Sequence, residues 1–305
     1  MKRLSIFFCI VLCSTKVVAC LNYYVINERG EVGHYDYDYP YEIYQNNNPE
    51  AYLKELKWYE KRIAEKNGMD KVWYTSNYSF YLVKLGRNKE ALAILQKLAT
   101  ANPGEYQVLA NLATAYELNG HLDSALKYIQ RSIKLNPLSH FGSEWFHQRF
   151  LEAAIEVRDK KTPVNELDIL KLSADTSAKA GNEIAEQLRE RVPLTNAPNE
   201  LLCKAIEEAA DYFRKNISVD WAVKFYAIAV GFAANEAQSN RINLKIEAAI
   251  NRIMFLNKTN PPQRPVDPVR KELMKDTRMG YIQKDIDLWK KNKALYVENM
   301  TPMIF

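Results

Sequence analysis

The sequence predicts an all-α protein, a solenoid of helical hairpins with flanking capping helices. Three observations predict it. A 34-residue internal repeat occupies the middle of the chain, with its turn, packing and stop residues in phase. Stretches on both sides of the repeat place apolar residues at helical spacing. The composition, 47% hydrophobic and 26% charged over 305 residues, is that of a globular chain long enough for two domains or one extended helical array. That composition excludes low-complexity disorder and a collagen-like fibre.

Residues 1–19 read as a secretory signal peptide. Lys2 and Arg3 make a short basic region, and 4–13 is an apolar stretch too short to span a bilayer. Val17, Val18 and Ala19 then precede Cys20, giving both an A-x-A-like cleavage site and a sequence similar to a bacterial lipobox. Either way the cut falls before Cys20. In one reading Cys20 carries a diacylglycerol and several acyl chains hold the protein to a membrane; in the other it is the first residue of a soluble exported protein. The formal charge of +5 falls to about +2 without Lys2, Arg3 and Lys16, too little to suggest a nucleic-acid partner. Cys9 and Cys13 leave with the signal, so no disulfide framework remains. Cys203 lies on an apolar helix face, where a free thiol behaves as a small hydrophobe.

Residues 20–48 are rich in Tyr, Asp and Asn and lack helical periodicity. Asp36 and Asp38 among tyrosines invite a calcium reading, but the spacing of an EF-hand loop is absent and a docked aromatic strand is the ordinary expectation. The array proper is expected over 49–157. It opens at Asn48 and Pro49, a cap followed by proline at the first helical position, with Leu53, Leu56 and Ile63 on one face until Asn67 and Gly68.

Aligning 72–105 with 106–139 superposes Gly86 on Gly120, Ala91 on Ala125, Leu92 on Leu126, Gln96 on Gln130, Asn102 on Asn136 and Pro103 on Pro137. Each position has a physical task. The glycines fit a turn that needs positive φ. The alanines sit where two helices of a hairpin cross closely, and the prolines end the second helix because they cannot donate the next amide hydrogen. Asp123 and Ser124 offer a cap for the second helix of the second repeat. This pattern resembles two tetratricopeptide (TPR) repeats, and the fold it implies is the TPR-type helical-hairpin solenoid. Because two repeats cannot cover their own ends, the helix carrying Trp145, Phe146, Phe150, Leu151, Ala154 and Ile155 is expected to cap them.

A second helical block is expected over 158–256, after a charged loop at 158–163. Short helices are expected at 165–172 and 181–191, and a helix pair at 201–215 and 219–234 has Ala222, Tyr226 and Ala229 spaced like a degenerate TPR hairpin. Ile242, Ile246, Ala249, Ile250 and Ile253 put a closing helix at 240–256. Residues 257–305 read as a Pro-containing linker and a basic tail with ten Lys or Arg against six Asp or Glu, a tail more often folded back on its own domain than set on a membrane or partner.

Chemistry is sparse. His34, His121, His140 and His147 match no metalloprotease or zinc-ribbon spacing. Glu144 and His147 share a helix face at the spacing used by di-iron bundles, but the second such pair is missing. Phosphate loops and nucleophile elbows are also missing, so neither a cofactor nor a metal is expected and a non-catalytic protein is the preferred reading. Of the four glycosylation sequons, Asn77 falls inside a packed helix.

TPR arrays use the concave surface of their first helices to hold peptides or protein domains. Carried residue by residue, the resemblance implies a groove of Trp73, Ser76, Phe80, Val83 and Lys84, then Gln107, Ala110, Thr114, Glu117 and Leu118. Ser76 and Phe80 depart from the Lys and Asn of repeats that clamp acidic C-termini, which argues against such a clamp. Segments at 142–147, 151–153 and 187–193 also look like parts of exported bacterial TPR proteins. The expectation is therefore an exported adaptor or scaffold in the bacterial envelope or periplasm, membrane-tethered if Cys20 is lipidated, with a protein or peptide partner. The rivals are an envelope enzyme such as a glycan hydrolase, with two facing carboxylates, and a purely structural component.

Overall fold

The structure is a computed structural model that describes residues 23–35, 49–172 and 178–259. The expected signal peptide at 1–19, Cys20, Asp36, Asp38 and the expected tail from 260 onward lie outside the described residues. Ten α-helices follow one another among the described residues: α1 Pro49–Glu65, α2 Gly68–Lys84, α3 Asn88–Ala101, α4 Tyr106–Leu118, α5 Leu122–Leu135, α6 Glu144–Lys160, α7 Ala178–Leu194, α8 Glu200–Asn216, α9 Val219–Phe232 and α10 Glu236–Thr259. Consecutive helices pack on one another along the chain, as a helical-hairpin solenoid requires.

The repeat residues act as their types dictate. Gly86 and Gly120 turn the chain between the helices of each hairpin at φ 73° and 78°, a conformation that costs a residue with a Cβ strain but costs glycine little. Ala91 and Ala125 are fully buried where α3 and α5 cross the preceding helices. Helices α3 and α5 stop at Ala101 and Leu135, ahead of Pro103 and Pro137. In the last hairpin the caps come from side chains: the Asn199 carboxamide oxygen accepts from the Leu202 amide, and Ser218 Oγ accepts from the Trp221 amide.

Two buried apolar clusters run along the array. The first joins Leu56, Leu82, Ala91, Leu95 and Leu109. The second runs without a break from Ala113 and Ile129 in the second repeat, through Phe150, Leu188 and Phe213, to Ile253 in α10. Cys203 is fully buried inside it, and burial pushes its thiol pKa up to about 12, the setting of an inert packing residue.

Several expectations need correction. The helix expected at 165–172 is a single 3-10 turn, Val164–Glu166, followed by extended chain. There the amides of Ile169 and Leu170 donate to the Glu208 carboxylate at 3.1 and 2.8 Å, which replaces the helical ladder. Helix α5 starts a residue before Asp123, with His121 in the capping position, so neither Asp123 nor Ser124 caps it; Asp123 pairs with Arg158 at 2.7 Å instead. The expected charged loop begins later, because α6 continues to Lys160 and ends where Lys161 turns left-handed at φ 56°. The helical array also carries one small antiparallel hairpin, β1 Tyr23–Ile26 and β2 Val32–Tyr35. Its turn is set by Asn27, whose side-chain oxygen accepts from the amides of Arg29 and Glu31 at 3.0 Å each. The hairpin leans on the last helices: the Glu28 amide donates to the Arg214 carbonyl, and Arg252 donates to the Glu28 carbonyl.

Candidate functional site

Helices α2 and α4 are the first helices of the two repeats, and side chains spaced by three, four and seven residues on them face one side of the array. The structure divides the ten groove residues among different tasks. Ser76 is buried and accepts from Asn111 at 2.9 Å, and Gln107 donates to Asn77 at 3.0 Å, so both hold α2 to α4. Asn77 is at the same time within 3.4 Å of the Tyr59 hydroxyl, which ties that sequon into the helix packing. Trp73 is 48% exposed and stands at the N-terminal end of α2, outside the cavity described next. The remaining residues come together.

Phe80, Val83, Ala110, Thr114, Glu117 and Leu118 form one wall of a cavity of about 320 Å³. The opposite wall is built by later parts of the chain: His140 in the 3-10 turn Ser139–Gly142, Glu144 and His147 at the start of α6, and Glu186, Glu190, Arg191 and Leu194 on α7. Helix α7 therefore lies along the concave side of the repeats and narrows the groove to this cavity.

Charge pairs lock α7 in place. Arg191 makes a bidentate contact with the Glu117 carboxylate, Nη1 donating to one oxygen and Nη2 to the other at 3.2 Å, and His147 Nε2 lies 2.6 Å from the same carboxylate. Burial alone pushes the Glu117 carboxyl up, but the facing Arg191 and His147 outweigh it and hold the pKa down to about 2. The Arg191 guanidinium also sits 4.2 Å above the Phe150 ring. Lys84 reaches across to Glu190 at 2.6 Å, and although burial raises that carboxyl, Lys84 brings it below the ordinary range. Gln187 donates to Ser143 Oγ at 3.0 Å.

Glu144 is placed differently. It is buried, His140 Nδ1 is 2.8 Å from one carboxylate oxygen and His147 Nδ1 is 3.9 Å from the other. The contact with Glu144 raises the pKa of His140 against the opposing effect of burial. His140 and Phe141 both hold positive φ, 46° and 59°, a conformation uncommon outside glycine and a strained one for a bulky side chain such as Phe141.

Residues 82–140 match the tetratricopeptide repeat family model. This segment is a tetratricopeptide repeat region. The match covers the end of α2, helices α3 to α5 and the start of the wall that His140 contributes. No curated protein matches the chain. TPR repeats are scaffolds for protein–protein interaction, and here the scaffold's concave face carries an aromatic and aliphatic side from the repeats and a charged side from α6 and α7. Sequence reasoning placed the first side and missed the second, since nothing in the spacing of 178–194 says which surface that helix covers. The signal that was present is the Glu144-x-x-His147 spacing: both side chains do share a face, and that face looks into the cavity. Among the described residues no group of three or more His, Cys, Asp or Glu has a geometry that holds a metal ion, and no helix is long and apolar enough to cross a membrane.

Proposed function

We propose that the protein is an exported TPR adaptor that anchors a peptide or helix of another cell-envelope protein in the cavity between α2, α4 and α7. The observation that carries this reading is the cavity itself, open between Phe80, Leu118 and α7 on the face TPR repeats use for partners. Its volume suits the anchoring side chains of a partner more than an extended peptide laid along the whole groove. Trp73, exposed on the same helix two turns from Phe80, extends the contact beyond the cavity. Export rests on the signal-like 1–19, and attachment to a membrane rests on the lipobox-like sequence at Cys20.

The charge pairing narrows the rival hydrolase reading to the other acidic residues of the cavity, Glu144 and Glu186. Arg191 and Lys84 hold Glu117 and Glu190 ionised, which removes both as general acids at neutral pH. The test is a crosslinked pull-down from the native envelope, run in parallel for the unaltered chain and for Phe80→Ala and Trp73→Ala, with mass analysis of the mature N-terminus. One partner that is enriched by the unaltered chain and lost with Phe80→Ala supports the adaptor. Equal capture by all three sinks the groove. A diacylated Cys20 establishes the tether, and an unmodified one removes it.

A further inference from the structure

Resting on the adaptor reading, we infer that the cavity takes a basic side chain, lysine or arginine, from the bound peptide, with Glu144 as its counter-charge. Four acidic residues line the cavity: Glu117, Glu144, Glu186 and Glu190. Three have a permanent cation from this chain, Arg191 for Glu117, Arg189 for Glu186 and Lys84 for Glu190. Glu144 has only imidazoles opposite it among the described residues. It is 4% exposed, and its Oε1, 2.8 Å from His140 Nδ1, makes no hydrogen bond of good geometry. A buried carboxylate without a permanent counter-ion is the group whose solvation a guest cation restores most.

The opposite wall fits the rest of such a guest. Phe80, Val83 and Leu118 offer an apolar surface for the methylene stem of a lysine or arginine, which buries its stem and keeps its charged head at a polar site. An acidic guest would meet Glu144 with no permanent cation free to receive it, since Arg191, Arg189 and Lys84 are already paired. An apolar guest of the same length would fill the space and leave Glu144 as it is. The cavity thus discriminates by charge, and does so with a residue that lies outside the repeats themselves.

The test uses the full chain and blocked pentapeptides of sequence Ala-Leu-X-Leu-Ala, with X lysine, norleucine or glutamate, titrated by nuclear magnetic resonance. The lysine peptide is expected to bind about ten-fold or more tightly than the norleucine peptide, with shifts at Thr114, Glu117 and Glu144, and the glutamate peptide to bind weakest. Glu144→Gln is expected to abolish the advantage of lysine while leaving norleucine binding unchanged. Norleucine or glutamate binding as tightly as lysine, or an advantage of lysine that survives Glu144→Gln, overturns the inference and leaves the groove intact. If none of the three peptides shifts a cavity resonance, the adaptor groove falls and this inference with it. The peptide series on the unaltered protein decides the question even where Glu144→Gln fails to fold.

Discussion

Glu117 and Arg191 join the repeats to α7, and removing either side chain alone is expected to destabilise the whole array. Glu117 is 2% exposed and Arg191 7%, so Glu117→Met leaves a mostly buried guanidinium with its main counter-charge gone. Breaking a buried pair in this way costs about 3–5 kcal/mol. The shift of the Glu117 carboxyl that Arg191 and His147 cause points the same way. A carboxyl held at about 2 against an ordinary 4.5 corresponds to about 3 kcal/mol by linkage. Because the folded-state pKa is the lower one, this stabilisation is complete above the ordinary carboxylate range and is lost as pH falls through 4.5 toward 2. Urea unfolding followed by circular dichroism at pH 7 and pH 3 measures both effects. Glu117→Met should lower the unfolding free energy at pH 7 and flatten its fall on acidification. The double variant Glu117→Met with Arg191→Met should recover much of the loss, since replacing both members of a buried pair by apolar groups is often near neutral. A single variant within about 1 kcal/mol of the unaltered protein, or a double variant as unstable as the two singles together, would refute the assignment of this pair as the clasp between repeats and α7.

Three further outcomes follow from features of the fold. Ala125→Leu should cost about 1–3 kcal/mol by overpacking the crossing of α4 and α5; an unchanged melting temperature would mean that the hairpin does not pack as closely as its buried alanine indicates. Ser218→Ala removes the side-chain cap of α9 and should cost about 1 kcal/mol, read by the same urea titration, with no change marking the cap as dispensable. Cys203, with its thiol pushed up to about 12 by burial, should resist a thiol reagent at pH 8 in the folded chain and react once urea unfolds it; rapid labelling of the native protein at Cys203 would contradict its place in the core.

The repeats were legible because their information is local. Gly86, Ala91 and Pro103 each act on the few residues around them, and 34 residues later the same chemistry recurs at Gly120, Ala125 and Pro137. Helix boundaries were legible where punctuation was strong, as at Pro49, and slipped where a charge chose a distant partner over its own cap, as Asp123 does with Arg158. The chain at 165–172 reads as helix by its apolar spacing, yet its amides bond to Glu208, 38 and 39 residues on; no local pattern encodes that. The same holds for the site. Phe80, Val83 and Leu118 follow from repeat position alone, whereas the opposing Glu190 and Arg191 meet Lys84 and Glu117 across 106 and 74 residues of sequence.

The placement of α7 has a consequence for the order in which the protein comes into being. A growing chain completes both repeats and their turns well before 178–194 has been made, so for an interval the concave face lacks its charged wall and Lys84 and Glu117 await their partners. Stacked repeats can acquire structure one neighbour at a time, and here the repeats are ready before the cavity is. A nascent or truncated chain ending before α7 would present an open face on which Phe80, Val83 and Leu118 stand beside Lys84 without Glu190 and Glu117 without Arg191. The Glu190 and Arg191 side of the cavity arrives only with α7, after the repeats and before the three helices that complete the core.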